Sequence, residues 1–269
     1  MRRGPGRPLV GLLTAEGISI AGSRMSLVAL PWFVLATTGS PLRTGVVAFA
    51  EMLPYVVSAV LAAPLVDRVG ARRASVTCDA ASAAAVLAIP ALSAVGALSF
   101  PVLLVLVAIV GAVRGPGDNA KLVLLPAVTV PAGVPLERAT GLHDTVNRAG
   151  ALIGAPLAGV LIGVLGARSI LAVDAATFAV AAGLVAFTTP RVEPAPSTDV
   201  ERYRARFAAG LSFLRHEPLL LRLAGLVLVT NLLDQAWGSV LLPVWSRDAG
   251  YGAAGIGLTA GALGVGATV

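Results

Sequence analysis

Read from the amino terminus, the chain alternates long apolar runs with short polar breaks. Seven runs, at about residues 9–37, 42–66, 74–97, 99–125, 141–166, 169–189 and 219–246, are long enough to cross a hydrocarbon core of ~30 Å as helices. An eighth opens near residue 252, in GAAGIGLTAGALGVGATV, where the sequence ends. Lipid offers no hydrogen-bond partner, so a helix, which satisfies its own backbone, is the expected conformation for each. Transmembrane strands would show alternation over about ten residues, and none is visible. Pro31, Pro54, Pro90, Gly154 and Pro156 fall inside the runs, where membrane helices accommodate kinks and close contacts.

Composition supports lipid as the solvent. Of 269 residues 57% are hydrophobic and 13% charged, with a mean hydropathy of +0.87, against about 25% charge in soluble domains. The excess of basic residues, 20 against 14 acidic ones, sits at the ends of apolar runs and forms no continuous stripe, so nucleic acid is not an expected partner. Cys78 is the only cysteine, which leaves neither a disulfide framework nor a cysteine metal site. His143 and His216 are too few and too far apart in sequence to suggest a metal centre. The opening MRRGPGRPLVGLL begins like a secretion signal, but its apolar run continues past Glu16 and Arg24, so it reads as a retained first span.

With the amino end placed in the cytoplasm, fourteen basic residues fall in inner segments. They are Arg2, Arg3, Arg7, Arg68, Arg72, Arg73, Lys121, Arg138, Arg191, Arg202, Arg204, Arg206, Arg215 and Arg222. Only Arg43, Arg168 and Arg247 fall in outer loops, a strong positive-inside asymmetry. Residues 188–218 hold a Pro-rich linker and then Tyr203, Phe207, Leu211 and Leu214 at helical spacing among arginines, which predicts an amphipathic helix on the inner membrane surface. The organisation expected is a six-helix bundle over 1–189, a cytoplasmic linker with its amphipathic helix over 190–218, and the opening of a second bundle over 219–269. SVLLPVW at 239–245 loosely echoes SLVALPWF at 26–33, as in transporters with a repeated half.

The charged cluster APLVDRVGARR, residues 63–73, resembles the G-x-x-x-D-R-x-G-R-R loop between the second and third helices of the major facilitator superfamily. Asp67, Arg68, Gly70 and Arg72 match; Ala63 and Ala71 depart from the pattern, and Arg73 follows. RGPGDNAKLVLLPAVT (114–129), ERATGLHDTVNRAGALIGAPLAGVLIGVLGA (137–167) and LAVDAATFAVAAGLVAF (171–187) are similar to the multidrug, macrolide and siderophore exporter branch. GALIGAPLAG, with Gly150, Gly154, Pro156 and Gly159, resembles the antiporter signature of helix five, although Ala155 precedes the proline. The resemblance implies an all-α integral membrane fold, with the six-helix amino-terminal half and one to two helices of a carboxy-terminal half. It also implies proton-coupled efflux of a hydrophobic or amphipathic molecule across the bacterial inner membrane by alternating access, without a cofactor. Because the family has twelve helices, the chain is expected to be truncated. A remnant that does not transport, or a half that acts only with a partner, is the rival reading.

Several charges fall within the spans. Counted along the helices, Arg24 lies about 18 Å and Glu51 about 13 Å below the outer surface, close enough in depth to pair. Glu51 or Glu16 is a candidate proton carrier, a fixed ion pair being the alternative, since an unpaired charge at mid-membrane costs at least ~2.5–3.5 kcal/mol. In TNLLDQAW, Asn231, Asp234 and Gln235 sit where polarity must face protein or a water-filled cavity; the resemblance places this helix on the substrate path, so Asp234 could bind a cation or a proton, with helix–helix hydrogen bonding as the alternative. Asp67, Arg68, Arg72, Arg73, Asp79, Arg114, Asp118, Asp144 and Arg148 gather toward the inner ends and suggest an ionic latch, against a purely orienting role for the arginines. Asp174 is expected to pair with Arg168. No phosphate-binding glycine loop and no catalytic set can be assembled, so neither ATP-driven pumping nor enzyme chemistry finds support.

Overall fold

The chain is seen in a computed structural model that describes residues 6–190 and 200–266; the side chains of residues 200–202, 204, 206 and 263–266 are not described. Arg2, Arg3, Arg191 and the Pro-rich linker therefore lie outside the described residues, as do the side chains of Arg202, Arg204 and Arg206. The described elements are all helical. In order they are α1 (Arg7–Thr38), α2 (Pro41–Val60), α3 (Ala62–Val69), α4 (Ala71–Ala94), α5 (Phe100–Ala132), α6 (Leu136–Leu165) and α7 (Ala167–Thr188). They continue with α8 (Val200–His216), α9 (Pro218–Ala236), a π segment (Trp237–Leu241), α10 (Leu242–Asp248) and α11 (Gly252–Gly266). Among the described residues seven helices are long and apolar enough to span a membrane, α9 through α10 counting as one. The seven expected spans are present, and α8 lies where the amphipathic pattern predicts a helix.

Prolines shape the spans. The second run, expected as one helix, breaks at Leu61. Pro64 has no N–H for the carbonyl of Val60 four residues back; the Tyr203 hydroxyl of α8 donates to that oxygen instead. Pro243 likewise cannot bond Ser239. The ladder there shifts to a five-residue step, with Leu242 N donating to Trp237 O, and the π segment results. Gly70 (φ 86°) and Gly166 (φ 78°) each join two helices through a single residue in a positive-φ conformation that suits glycine.

Helix α1 is the hub, packed on α2, α5, α6, α7 and the last three elements; α2 packs on α5, α4 on α5 and α7, and α6 on α11. Small residues bring the backbones together. A Cβ at Gly111 of α5 would lie 2.0 Å from the Glu51 carbonyl oxygen of α2, and one at Gly159 of α6 would lie 2.4 Å from Gly257 Cα of α11. Two apolar cores result: one around Phe33, Val107 and Phe178, the other around Leu12, Leu124 and Val185. Leu53, Leu87, Val105, Val164 and Val180 remain exposed on the outer faces, the distribution a bilayer-facing surface requires.

Candidate functional site

The face of α1 bearing Glu16, Ile20, Arg24, Leu27 and Pro31, spaced three or four residues apart, with Ser23 beside Arg24, lines a cavity of about 550 Å3. Glu51 and Tyr55 of α2, Gly111, Arg114 and Asp118 of α5, His143 and Asn147 of α6, and Gln235 and Ser239 close it. The close approach at Gly111, repeated at Gly115 against Tyr55 and Ala59, holds α2 on α5 so that their polar residues share one wall.

The charges fall into two levels. In the lower one, Lys121 is 1% exposed. Its Nζ lies 3.2 Å from Asp79 Oδ1 and 3.5 Å from Glu16 Oε2, and 3.3 Å from Ser19 Oγ, to which it donates. One ammonium thus joins α1, α4 and α5. Glu16 also faces His143, whose Nε2 stands 3.5 Å from Oε1, and Asn147 Nδ2 is 3.2 Å from His143 Nδ1. Asp79 Oδ2 is buried without a hydrogen-bond partner among the described residues. Two carboxylates therefore share one permanent cation, with the imidazole completing the cluster on the cavity side.

At the upper level Arg114 stacks over the Phe178 ring, 5.7 Å from its centroid, with Glu51, Asp118 and Asp174 as its charged neighbours. Its Nε is buried without a hydrogen-bond partner. The Tyr55 hydroxyl donates to Asp118 Oδ2 at 3.4 Å. Asp174 accepts from Ser26 Oγ at 2.5 Å and from Thr177 Oγ1 at 3.2 Å.

Several sequence expectations are corrected by this geometry. Lys121, assigned to an inner segment, and His143, given no role beyond the absence of a metal centre, are central to the site. Arg24 and Glu51 line the same cavity but form no ion pair among the described residues; Glu51 has Arg114 as a positively charged neighbour, and Arg24 has no carboxylate among its electrostatic neighbours. Asp174 is held by hydroxyls, not by Arg168. The charges expected to gather at one level separate: Asp79 joins Lys121, while Arg114 and Asp118 face the cavity. Asp67, Arg68, Gly70, Arg72 and Arg73 remain together at the α3–α4 turn, where Arg72 donates to the Ala186 carbonyl at the end of α7. Gln235 reaches the cavity, whereas Asn231 donates to Val227 O of its own helix and Asp234 is exposed away from it. The helix-five glycines pack helices: Gly150 and Gly154 against α1, Gly159 with Pro156 against α11.

Helices long and apolar enough to span a membrane, set around a charged chamber, define a multi-pass membrane protein. The Major Facilitator Superfamily profile matches residues 12–269, and the chain belongs to that superfamily. It is 32% identical over 252 residues to the multidrug efflux pump Tap of Mycolicibacterium fortuitum, covering 90% of this chain and 60% of the pump. It is 30% identical over 255 residues to Tap of Mycobacterium tuberculosis H37Rv, covering 92% and 60%. It is 29% identical over 240 residues to an uncharacterized MFS-type transporter of Sinorhizobium fredii, covering 88% and 57%. The chain spans about 60% of the length of the two pumps. No solved structure matches it significantly.

Proposed function

We propose that this chain acts in secondary transport, moving a hydrophobic or amphipathic small molecule outward across a bacterial plasma membrane in exchange for protons. The substrate site is the cavity between α1, α2, α5, α6 and the π segment, and Glu16, in contact with the Lys121–Asp79 pair and His143, carries the coupling proton. The observation behind the reading is that cavity: a chamber walled by spanning helices that presents both apolar surface and carboxylates to one space. Similarity to pumps named for multidrug efflux supports the substrate class. In this proposal residues 1–189 form one bundle, 190–218 connect it, and 219–269 open the next, with the amino end in the cytoplasm. The charged α3–α4 turn, held to α7 of its own bundle by the Arg72–Ala186 tie, is the surface that latches onto the second bundle and lets go when the bundles rock.

The test is dye accumulation in cells stripped of their own pumps and expressing the gene that encodes this chain. Expressers should hold less ethidium than vector controls, a protonophore should erase the difference, and Glu16→Gln should erase it without the protonophore. Equal accumulation in expressers and controls, with the protein verified in the membrane, refutes the proposal.

A further inference from the structure

The charges in the cavity are unevenly matched. Glu51 and Asp118 have Arg114 as a positively charged neighbour, and Glu16 lies 3.5 Å from both Lys121 Nζ and His143 Nε2, so each carboxylate facing the chamber has a protein cation in its surroundings. Arg24 is not supplied with an anion. Its side chain is exposed to the cavity, no carboxylate lies within 4.0 Å of it among the described residues, and its charged neighbour is a second guanidinium, Arg114. An arginine in a membrane span that faces a cavity without a counter-ion carries a cost that a bound anion would offset. Arg114 supplies a second observation, since its buried Nε on the same wall has no hydrogen-bond partner among the described residues.

The backbone also fixes where the Arg24 side chain starts. On α6, a Cβ at Gly154 would lie 2.7 Å from both the Ala21 carbonyl oxygen and Arg24 Cβ. The absence of that Cβ lets α6 press against the base of the arginine and leaves its length free toward the chamber. Around it Leu27, Leu30 and Val47 offer apolar surface, with Tyr55 beside them.

We propose that Arg24 is the anchor for an acidic group on the substrate, so that the cavity selects amphiphiles bearing a carboxylate or comparable oxyanion, zwitterions included, over the corresponding neutral esters and pure cations. A guanidinium matches a carboxylate in two parallel hydrogen bonds, and the apolar wall takes the rest of the molecule. The inference rests on the reading of this cavity as the substrate site.

The probes are rhodamine B, a zwitterion with a free carboxylate, and its ethyl ester, a cation otherwise the same. Binding to the purified protein in nanodiscs is read by fluorescence anisotropy. The wild type should bind the acid about tenfold or more tightly than the ester, as a charge-assisted hydrogen bond out of bulk water allows. Arg24→Gln should bring that ratio to about one, and Arg24→Lys, which keeps the charge and loses the fork, should leave an intermediate ratio. Equal or tighter binding of the ester by the wild type overturns the inference while leaving the cavity a binding site, and this comparison needs no variant to fold. A full acid preference surviving in Arg24→Gln overturns it equally. If the wild type binds neither dye, the cavity reading and the inference fall together.

Discussion

Replacing Lys121 by methionine removes the cation that three helices share while nearly keeping its volume. At an effective dielectric of about 20, the contacts of 3.2 and 3.5 Å to Asp79 and Glu16 are each worth ~5 kcal/mol of Coulomb attraction. Desolvation of the three ions offsets much of that sum. What the mutation exposes is a different quantity, the cost of leaving two buried carboxylates facing each other without their cation, and breaking a buried pair by removing one partner costs about 3–5 kcal/mol. Replacing all three members by apolar residues, in Lys121→Met combined with Glu16→Leu and Asp79→Val, removes that repulsion, so the triple variant should be about as stable as the wild type, since apolar replacement of a buried ion triad is often neutral or stabilising. Equilibrium unfolding in mixed micelles, followed by the fluorescence of Trp32, Trp237 and Trp245, measures both. A single variant that loses less than about 1 kcal/mol, or a triple as unstable as the single, would refute the reasoning.

Three further outcomes follow from the packing. Gly111→Ala should cost about 1–3 kcal/mol in the same assay, because its Cβ would lie 2.0 Å from the Glu51 carbonyl oxygen, whereas Gly163→Ala, with nothing within 4 Å of the new atom, should be neutral or slightly stabilising; equal costs at the two sites would contradict the close helix contact. Tyr203→Phe should lose about 0.5–1.5 kcal/mol in the native background and nothing once Pro64→Ala supplies an N–H to the Val60 carbonyl, a coupling read directly by the double-mutant cycle. Periplasm-active phosphatase fusions should be silent at Gly70 and active at Gly166, and the reverse pattern would invert the proposed orientation.

The spans were legible because lipid sets a minimum length for an apolar helix, and the exporter-like segments carried the family. What the sequence concealed was depth. Closing the fourth span at residue 125 places Lys121 at an inner end, but α5 runs on to Ala132 through Pro126 and Pro131, since proline is tolerated within membrane helices. The apolar LVLLPAVTV that follows Lys121 was the available signal. His143 was hidden in the same way, because α6 begins at Leu136, five residues earlier than the hydropathy suggested. Pairing was less legible still. Arg24 and Glu51 stand at compatible depths, yet they form no ion pair among the described residues and the charged neighbour of Glu51 is Arg114, from a helix distant in sequence; no count along a single helix shows that arrangement. Hydroxyls had a similar effect at Asp174, where Ser26 and Thr177 hold a group that proximity in sequence had assigned to Arg168.

The tie between Tyr203 and Val60 also bears on the order in which the protein is made. The two residues are 143 positions apart, so at ordinary rates of translation the carbonyl waits on the order of ten seconds for its donor. By then the six preceding spans have left the ribosome, and the hydroxyl arrives at a bundle whose members are all present. The contact is thus a late clasp on biogenesis, drawn across the end of α2 only after the earlier helices have been synthesised.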